Sequence, residues 1–269
     1  MTKIICFANN KGGSGKSTTC ANVGYAMSLE GKRVLLVDGD GQMNLTLSFF
    51  DEERTASLGT EGPNLHRFLF HNEENETQIV KTPYENLDIL AGSPLLSRAS
   101  DKLAKAEDGA LLLRKKLEGI KESRAYDAIC IDAPPTLGLW TTALLCASDA
   151  LIIPVEASPW GLYGLANMFE FYAKARELNA DLSFLGVVVT KADERKNYCK
   201  QTLASLREMD FIHFFETFIH SDTSIEWAQD SSLPVIAYKK SSRGAKEYIN
   251  LTKEILHDVC RNKQSKARR

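Results

Sequence analysis

The sequence has no apolar run approaching the roughly 20 residues of a membrane-spanning helix, so nothing in its 269 residues predicts a transmembrane segment. Its six cysteines (Cys6, Cys20, Cys130, Cys146, Cys199 and Cys260) show no C-x-x-C pair and no Cys/His ligand spacing. They therefore predict neither zinc nor disulfide, and read as small core hydrophobes in a reducing compartment. Internal repeats are lacking, and so are low-complexity blocks apart from a short tail after Arg261. The first strand-like run starts at Lys3, so neither a signal peptide nor an added N-terminal domain is expected. One domain over residues 1–262, a basic tail at 263–269 and a cytoplasmic location are the expectation. Charge of one sign is scarce overall, with 33 basic and 35 acidic residues, but it is unevenly spread. Residues 51–76 carry seven acidic and two basic side chains, whereas 239–269 carry ten basic and three acidic ones, which suggests an anionic partner at the basic end.

What is present is an alternation of apolar β-rich runs with amphipathic segments. The runs are 33–38, 87–90, 128–132, 150–155 and 184–190. Strands apolar on both faces predict an α/β fold, a mostly parallel β-sheet sandwiched by helices. Helices are expected over 16–30, 95–122, 136–147, 160–178, 197–208, 223–230 and 243–262. The glycines, proline and charges of 51–64 predict a mobile surface loop.

Between the first strand and the first helix stands Asn10-Lys11-Gly12-Gly13-Ser14-Gly15-Lys16-Ser17-Thr18. This is the strand, loop, helix setting of a phosphate loop. Glycines at 12, 13 and 15 let successive N–H groups turn inward into an anion-binding nest, and the helix N-terminus adds partial positive charge. Lys16 is expected on the β- and γ-phosphates, and the Ser17 hydroxyl on Mg²⁺. Asn10 stands where the ordinary G-x-x-x-x-G-K-[ST] pattern has glycine, and Lys11 is an added lysine. The wording K-G-G-x-G-K-[ST] resembles the deviant Walker A loop of the ParA/MinD family of dimerising ATPases. In that family the early lysine, Lys11 here, reaches the nucleotide of a partner subunit. The resemblance implies ATP and Mg²⁺ as cofactors, an ATP-dependent homodimer and a P-loop NTPase fold.

Three further segments fit the same site. Asp132 ends a buried apolar strand, where an unpaired carboxylate is costly unless it serves a cation, so it reads as an acid bound to Mg²⁺ through water. Ala133-Pro134-Pro135-Thr136-Leu137-Gly138 then resembles the family's D-x-P-P-x-L-G switch, with Gly138 as its pivot. The second, Asp38-Gly39-Asp40-Gly41-Gln42-Met43-Asn44, resembles D-x-D-P-Q-G-N. It implies Asp38 near Mg²⁺ and Asp40 positioning the attacking water. Gly41 and Met43 depart from the pattern, and glycine in place of proline is expected to loosen the switch, which bears on the rate of hydrolysis rather than on its existence. The third, Thr190-Lys191-Ala192-Asp193-Glu194-Arg195, resembles the family's T-x-x-D-x-R near the base, with Thr190 and Asp193 as contacts. It is also similar to the T-K-x-D with which some GTPases read guanine. Adenine is preferred because Lys11 and the D-x-D-x-Q segment go with the ATPases.

Resemblance covers nearly the whole chain and favours the ParA/Soj partition branch in its short form. It implies weak ATP hydrolysis stimulated by a ParB-type adaptor, non-specific DNA binding, and nucleoid association when ATP is bound. Candidate DNA contacts are Lys196, Lys200, Lys239, Lys240, Arg243, Lys246, Arg261, Lys263, Lys266, Arg268 and Arg269. Where relatives often place basic residues, this chain has Ile219-His220-Ser221-Asp222. A MinD-like membrane-surface ATPase is the second reading and a nucleotide-gated adaptor with negligible turnover the third. The stripe Tyr248, Leu251, Ile255, Leu256 and Val259 is expected to pack on the sheet rather than enter lipid. Trp140 and Trp160 are expected to be helix-packing residues.

Overall fold

The computed structural model describes residues 2–71, 75–158, 161–209 and 212–266, without the side chains of 75–76, 161–163, 207 and 262–266. Seven strands form one sheet: β1 (Lys3–Phe7), β2 (Val34–Asp38), β3 (Val80–Lys81), β4 (Leu87–Leu90), β5 (Ala128–Asp132), β6 (Ala150–Glu156) and β7 (Ser183–Thr190). Their order is β3-β4-β2-β5-β1-β6-β7. Every pairing is parallel except that of β3 with β4. The central strands β2, β4 and β5 are buried at every position, as expected of a sheet covered on both faces.

The helices are α1 (Lys16–Leu29), α2 (Asn44–Leu47), α3 (Glu52–Thr60), α4 (Leu65–Phe70), α5 (Ala99–Leu103), α6 (Leu112–Glu122), α7 (Leu139–Cys146), α8 (Gly161–Leu178), α9 (Asn197–Arg207), α10 (Thr223–Asp230), α11 (Val235–Tyr238) and α12 (Arg243–Lys266). One core lies under α6, α7 and α8, and includes Leu117, Trp140, Leu144 and Met168. The other lies under α1 and α12, and includes Val23, Met27, Tyr248, Leu251 and Ile255. The stripe on α12 is thus buried against the protein, with Leu256 and Val259 partly buried beside it. Among the described residues no helix is long and apolar enough to cross a membrane.

Three expectations are corrected. Residues 52–60 form a helix, not a loop, because the Asp51 side chain accepts the Arg54 N–H at 2.8 Å and Glu52 and Glu53 favour the helix N-terminus. The long helix of 95–122 breaks into a 3₁₀ turn at Pro94–Arg98, α5, a second turn at Gly109–Leu111, and α6. The break is enforced at Gly109, where a Cβ would lie 2.0 Å from the Leu103 carbonyl oxygen. The last helix runs on through Lys266 into the expected tail. Five cysteines are buried as expected, while Cys260 is exposed.

Beyond β7 the chain makes isolated parallel bridges, Val187 with Phe214 and Ala192 with His220. Carboxylates of α12 cap the outer side of this segment. Glu254 accepts the Glu216 N–H at 2.8 Å and the Thr217 N–H at 3.1 Å. Glu247 accepts the His220 N–H at 2.8 Å, and Asp258 pairs with the His213 imidazole at 3.1 Å.

Candidate nucleotide site

The carboxyl ends of β1, β2, β5 and β7 converge on one cavity of about 600 Å³. Its floor is the loop from β1 to α1. Gly13 and Gly15 take positive φ values of 73° and 84°, which lets them turn the backbone without a Cβ penalty. Gly15 immediately precedes α1, so the loop feeds into a helix N-terminus. The loop is held from outside: Asn9 donates its amide to the Pro154 carbonyl at 2.7 Å and accepts the Lys11 N–H at 3.0 Å. Thr190 donates its hydroxyl to the Ser14 carbonyl at 2.8 Å. Gly12, Gly13, Gly15, Lys16, Ser17 and Thr18 line the cavity. The Ser14 side chain is buried, and its Oγ has no hydrogen-bond partner.

Lys16 donates to the Lys11 carbonyl at 3.1 Å. Burial lowers its pKa, while the carboxylates of Asp132 and Asp40 oppose that shift. Asp38 and Asp132 are register partners on β2 and β5, so two carboxylates share one buried place. Their surroundings differ. Asp38 accepts the Thr46 N–H and hydroxyl at 2.8 and 2.6 Å and the Asp40 N–H at 3.2 Å. Burial nevertheless pushes it up to about 6, these hydrogen bonds opposing. Neither oxygen of Asp132 has a hydrogen-bond partner, although the residue is fully buried. Burial first, and then the Asp38 charge, raise its pKa well above the ordinary carboxylate value, and nearby Ser17 and Lys16 offset only part.

Such an orphaned carboxylate beside a hydroxyl and a phosphate cradle is a donor set that fits a hard, water-carrying divalent cation. Ser17 and Asp132 supply that set, with Asp38 already engaged by Thr46.

Asp40 lines the cavity and accepts the Gln42 N–H at 3.0 Å. The turn that carries it is closely packed. Gly39 admits no side chain, since a Cβ would lie 2.7 Å from the Asp132 carbonyl, and the Trp140 indole N–H donates to the Gly39 carbonyl at 2.8 Å. Trp140 is thus a packing residue as expected, and one that clamps this turn; Trp160 lies outside the described residues. Met43, at φ 60°, buries its side chain between Gly59 of α3 and Gly92 after β4. The slack expected from Gly41 is therefore countered by an anchor two residues on.

Lys11 is held at the rim, with Nζ on Glu156 and 2.9 Å from the Ser158 hydroxyl. Asp193 is not among the cavity walls. Arg195 grips its carboxylate at 2.8 and 3.0 Å and, with Lys196, holds it down to about 2. The opposite wall comprises Lys191, Ile219, His220, Ser221, Asp222, Ile225, Glu226, Gln229 and Tyr248. Gln229 donates to the Thr18 hydroxyl at 2.7 Å. Sequence reading missed this wall, although Asp222 before an amphipathic run is a legible helix cap; it accepts the Ser224 N–H at 2.8 Å. Of the DNA candidates, Lys196, Lys200, Lys239, Lys240, Arg243, Lys246 and Arg261 are exposed, with Arg243 paired to Glu247 at 2.7 Å. The side chains of Lys263 and Lys266, and residues Arg268 and Arg269 altogether, lie outside the described residues.

Comparison with known proteins agrees with this geometry. A family profile described as an AAA domain matches residues 2–184. The sporulation initiation inhibitor protein Soj of Bacillus subtilis is 34% identical over 260 residues, covering 95% of this chain and 98% of that protein. The septum site-determining protein MinD of Pyrococcus horikoshii, solved with Mg-ADP, superposes with a TM-score of 0.76 at 27% identity, covering 95% and 96% of the two chains. A plasmid partition protein of Borrelia burgdorferi bound to AMPPNP gives 0.80 at 26% identity, covering 96% and 99%.

Proposed function

The chain belongs to the ParA/Soj family of P-loop ATPases, and from that premise we propose that it is a partition ATPase that pairs on ATP, binds DNA without sequence preference and is stimulated by a ParB-type adaptor. The observation that carries the reading is the pair of lysines in one loop. Lys16 sits inside the cavity, whereas Lys11 stands at the rim on Glu156, where its own nucleotide does not need it. A second subunit gives Lys11 a role.

Within one subunit, the loop N–H groups and Lys16 neutralise the phosphates. Ser17 and Asp132 would hold Mg²⁺, with Asp38 fixing the turn behind them. When bound, Mg²⁺ supplies charge neutralisation of the phosphate oxygens. Asp40 orients the attacking water, and hydrolysis rests on positioning and electrostatics. Turnover is weak until the adaptor acts. Thr190 braces the loop, and Asp193 reaches the base only by leaving Arg195. Lys239, Lys240, Arg243 and Lys246 cluster at the α11–α12 junction, and Lys196 and Lys200 begin α9. These are the candidate phosphate contacts that would hold a cytoplasmic protein on the nucleoid.

The test is DNA binding with ATP, with ADP and without nucleotide over a salt series. ATP should tighten binding, because a dimer doubles every phosphate contact. Log affinity should fall against log salt by about 0.9 per neutralised phosphate. Alanine at Lys239, Lys240, Arg243 and Lys246 should flatten the slope and leave pairing intact. A normal ATP dimer that ignores DNA and pellets with anionic liposomes would replace this reading by the MinD-like one.

A further inference from the structure

We propose that Lys191 is a nucleotide-contacting residue, its ammonium neutralising phosphate charge near Gly13, so that it holds ADP and ATP alike. The proposal rests on the ATPase reading above and adds a third lysine to that site. Lys191 directly follows β7 and takes φ 52°. Left-handed backbone is unfavourable for a residue with a Cβ, and such conformations persist where the surroundings impose them. Here they do: the Ala192 N–H donates to the Ile219 carbonyl at 3.1 Å, the Ser221 N–H to the Ala192 carbonyl at 3.0 Å, and the Ser221 hydroxyl to the Lys191 carbonyl at 3.2 Å.

The conformation throws the side chain across the cavity. Its Nζ lies 3.8 Å from the point a Gly13 Cβ would occupy, so it bridges the β7 wall and the phosphate loop. Among the described residues Lys11 pairs with Glu156, Arg195 and Lys196 with Asp193, and Lys16 lies by Asp132 and Asp40, whereas Lys191 has no carboxylate within ion-pair distance. Its neighbours are the loop's inward N–H groups and the start of α1, which are themselves electropositive. An ammonium in that setting lacks a counter-charge until an anion enters. The carboxylates Asp40 and Asp132 lie by Lys16, which marks that end for the metal and the terminal phosphate. Lys191 hangs from the opposite wall and meets the loop at Gly13 rather than at Lys16, so its contribution is not tied to the γ-phosphate. The pattern T-x-x-D-x-R leaves this position open, so a lysine here is not required by the ATPase resemblance.

The experiment is equilibrium titration of the full chain with fluorescent ADP and ATP analogues at two salt concentrations. Lys191→Asn removes the ammonium with a residue that tolerates left-handed backbone, and Lys191→Arg keeps the charge. The thermal midpoint of each apo protein reports folding. Lys191→Asn should weaken both nucleotides by about tenfold, as expected for one charge-assisted hydrogen bond in a partly open site. It should also lessen the salt dependence, while Lys191→Arg binds within about threefold of wild type. Unchanged ADP affinity in a folded Lys191→Asn, a loss confined to ATP, or an equal loss in Lys191→Arg would each overturn the proposal. Wild-type protein that binds neither nucleotide would overturn the ATPase reading, and this proposal with it.

Discussion

Asp132 shows how one residue joins sequence, energetics and function. An apolar strand delivers its carboxylate to a fully buried place where neither oxygen is hydrogen-bonded and Ser17 and Lys16 offset only part of the cost, which a bound cation would remove. Asp132→Asn should therefore stabilise the metal-free protein by about 1–3 kcal/mol, read by urea unfolding in chelator, while abolishing the gain from Mg²⁺ with ATP. The pH dependence has a definite sign. A carboxyl whose pKa is raised in the folded state holds its proton after the unfolded chain has released it. Wild-type stability from this pair is thus present at low pH and falls as pH rises from about 4 through the folded values, about 6 for Asp38, with Asp132 also raised. The advantage of Asp132→Asn should grow across that window; an advantage that shrinks would contradict the assignment. At this scale the loop, whose Gly12, Gly13, Gly15, Lys16, Ser17 and Thr18 all line the cavity, was itself legible because its residues are consecutive. Engagement of Asp38 by Thr46, and the turn of Asp193 onto Arg195, were not. Both depend on side chains choosing between partners that the pattern leaves equivalent.

Elements were legible where their apolar period was long. Strands 87–90 and 128–132 and helix 223–230 stand at their expected bounds. Legibility failed around α3, where charged residues and a glycine imitate a loop, and the helix rests on a cap and on a packing site far away in sequence. That site is the Met43 socket. Gly92 carries no side chain because a Cβ would lie 3.0 Å from the Asp38 carboxyl carbon, the Asp40 carbonyl oxygen and Met43 Cγ. Gly92→Ala should push the turn off its position, destabilising the protein by about 1–3 kcal/mol. It should lower the hydrolysis rate more than nucleotide affinity. Urea unfolding and single-turnover hydrolysis measure the two effects, and equal losses of rate and affinity would show that the socket does not act through Asp40.

The molecule as a whole is expected to be a nucleotide-dependent pair. Light scattering should give twice the monomer mass with ATP and Mg²⁺, most clearly in Asp40→Ala, and monomer mass with ADP. Lys11→Ala should stay monomeric while still binding nucleotide, and Lys16→Ala should lose nucleotide itself. Unchanged mass with ATP in both wild type and Asp40→Ala would dispose of the pair. Fold class and family were legible at this scale, since the alternation of strands and helices spans the chain. The far wall of the cavity was not, because it forms only when residues near 191 and 219–229 meet across β7.

The carboxylates of α12 have one more consequence. By occupying the outward N–H groups of residues 216, 217 and 220, they leave that margin of the sheet nothing to offer a neighbour's strand. The other margin ends in the two-residue β3, with Lys81 on Asp88. A sheet blunted in this way on both sides is discouraged from pairing edge to edge with another copy. Self-association through the loops around the nucleotide, as proposed above, is contact of a kind that can be undone each time the nucleotide changes.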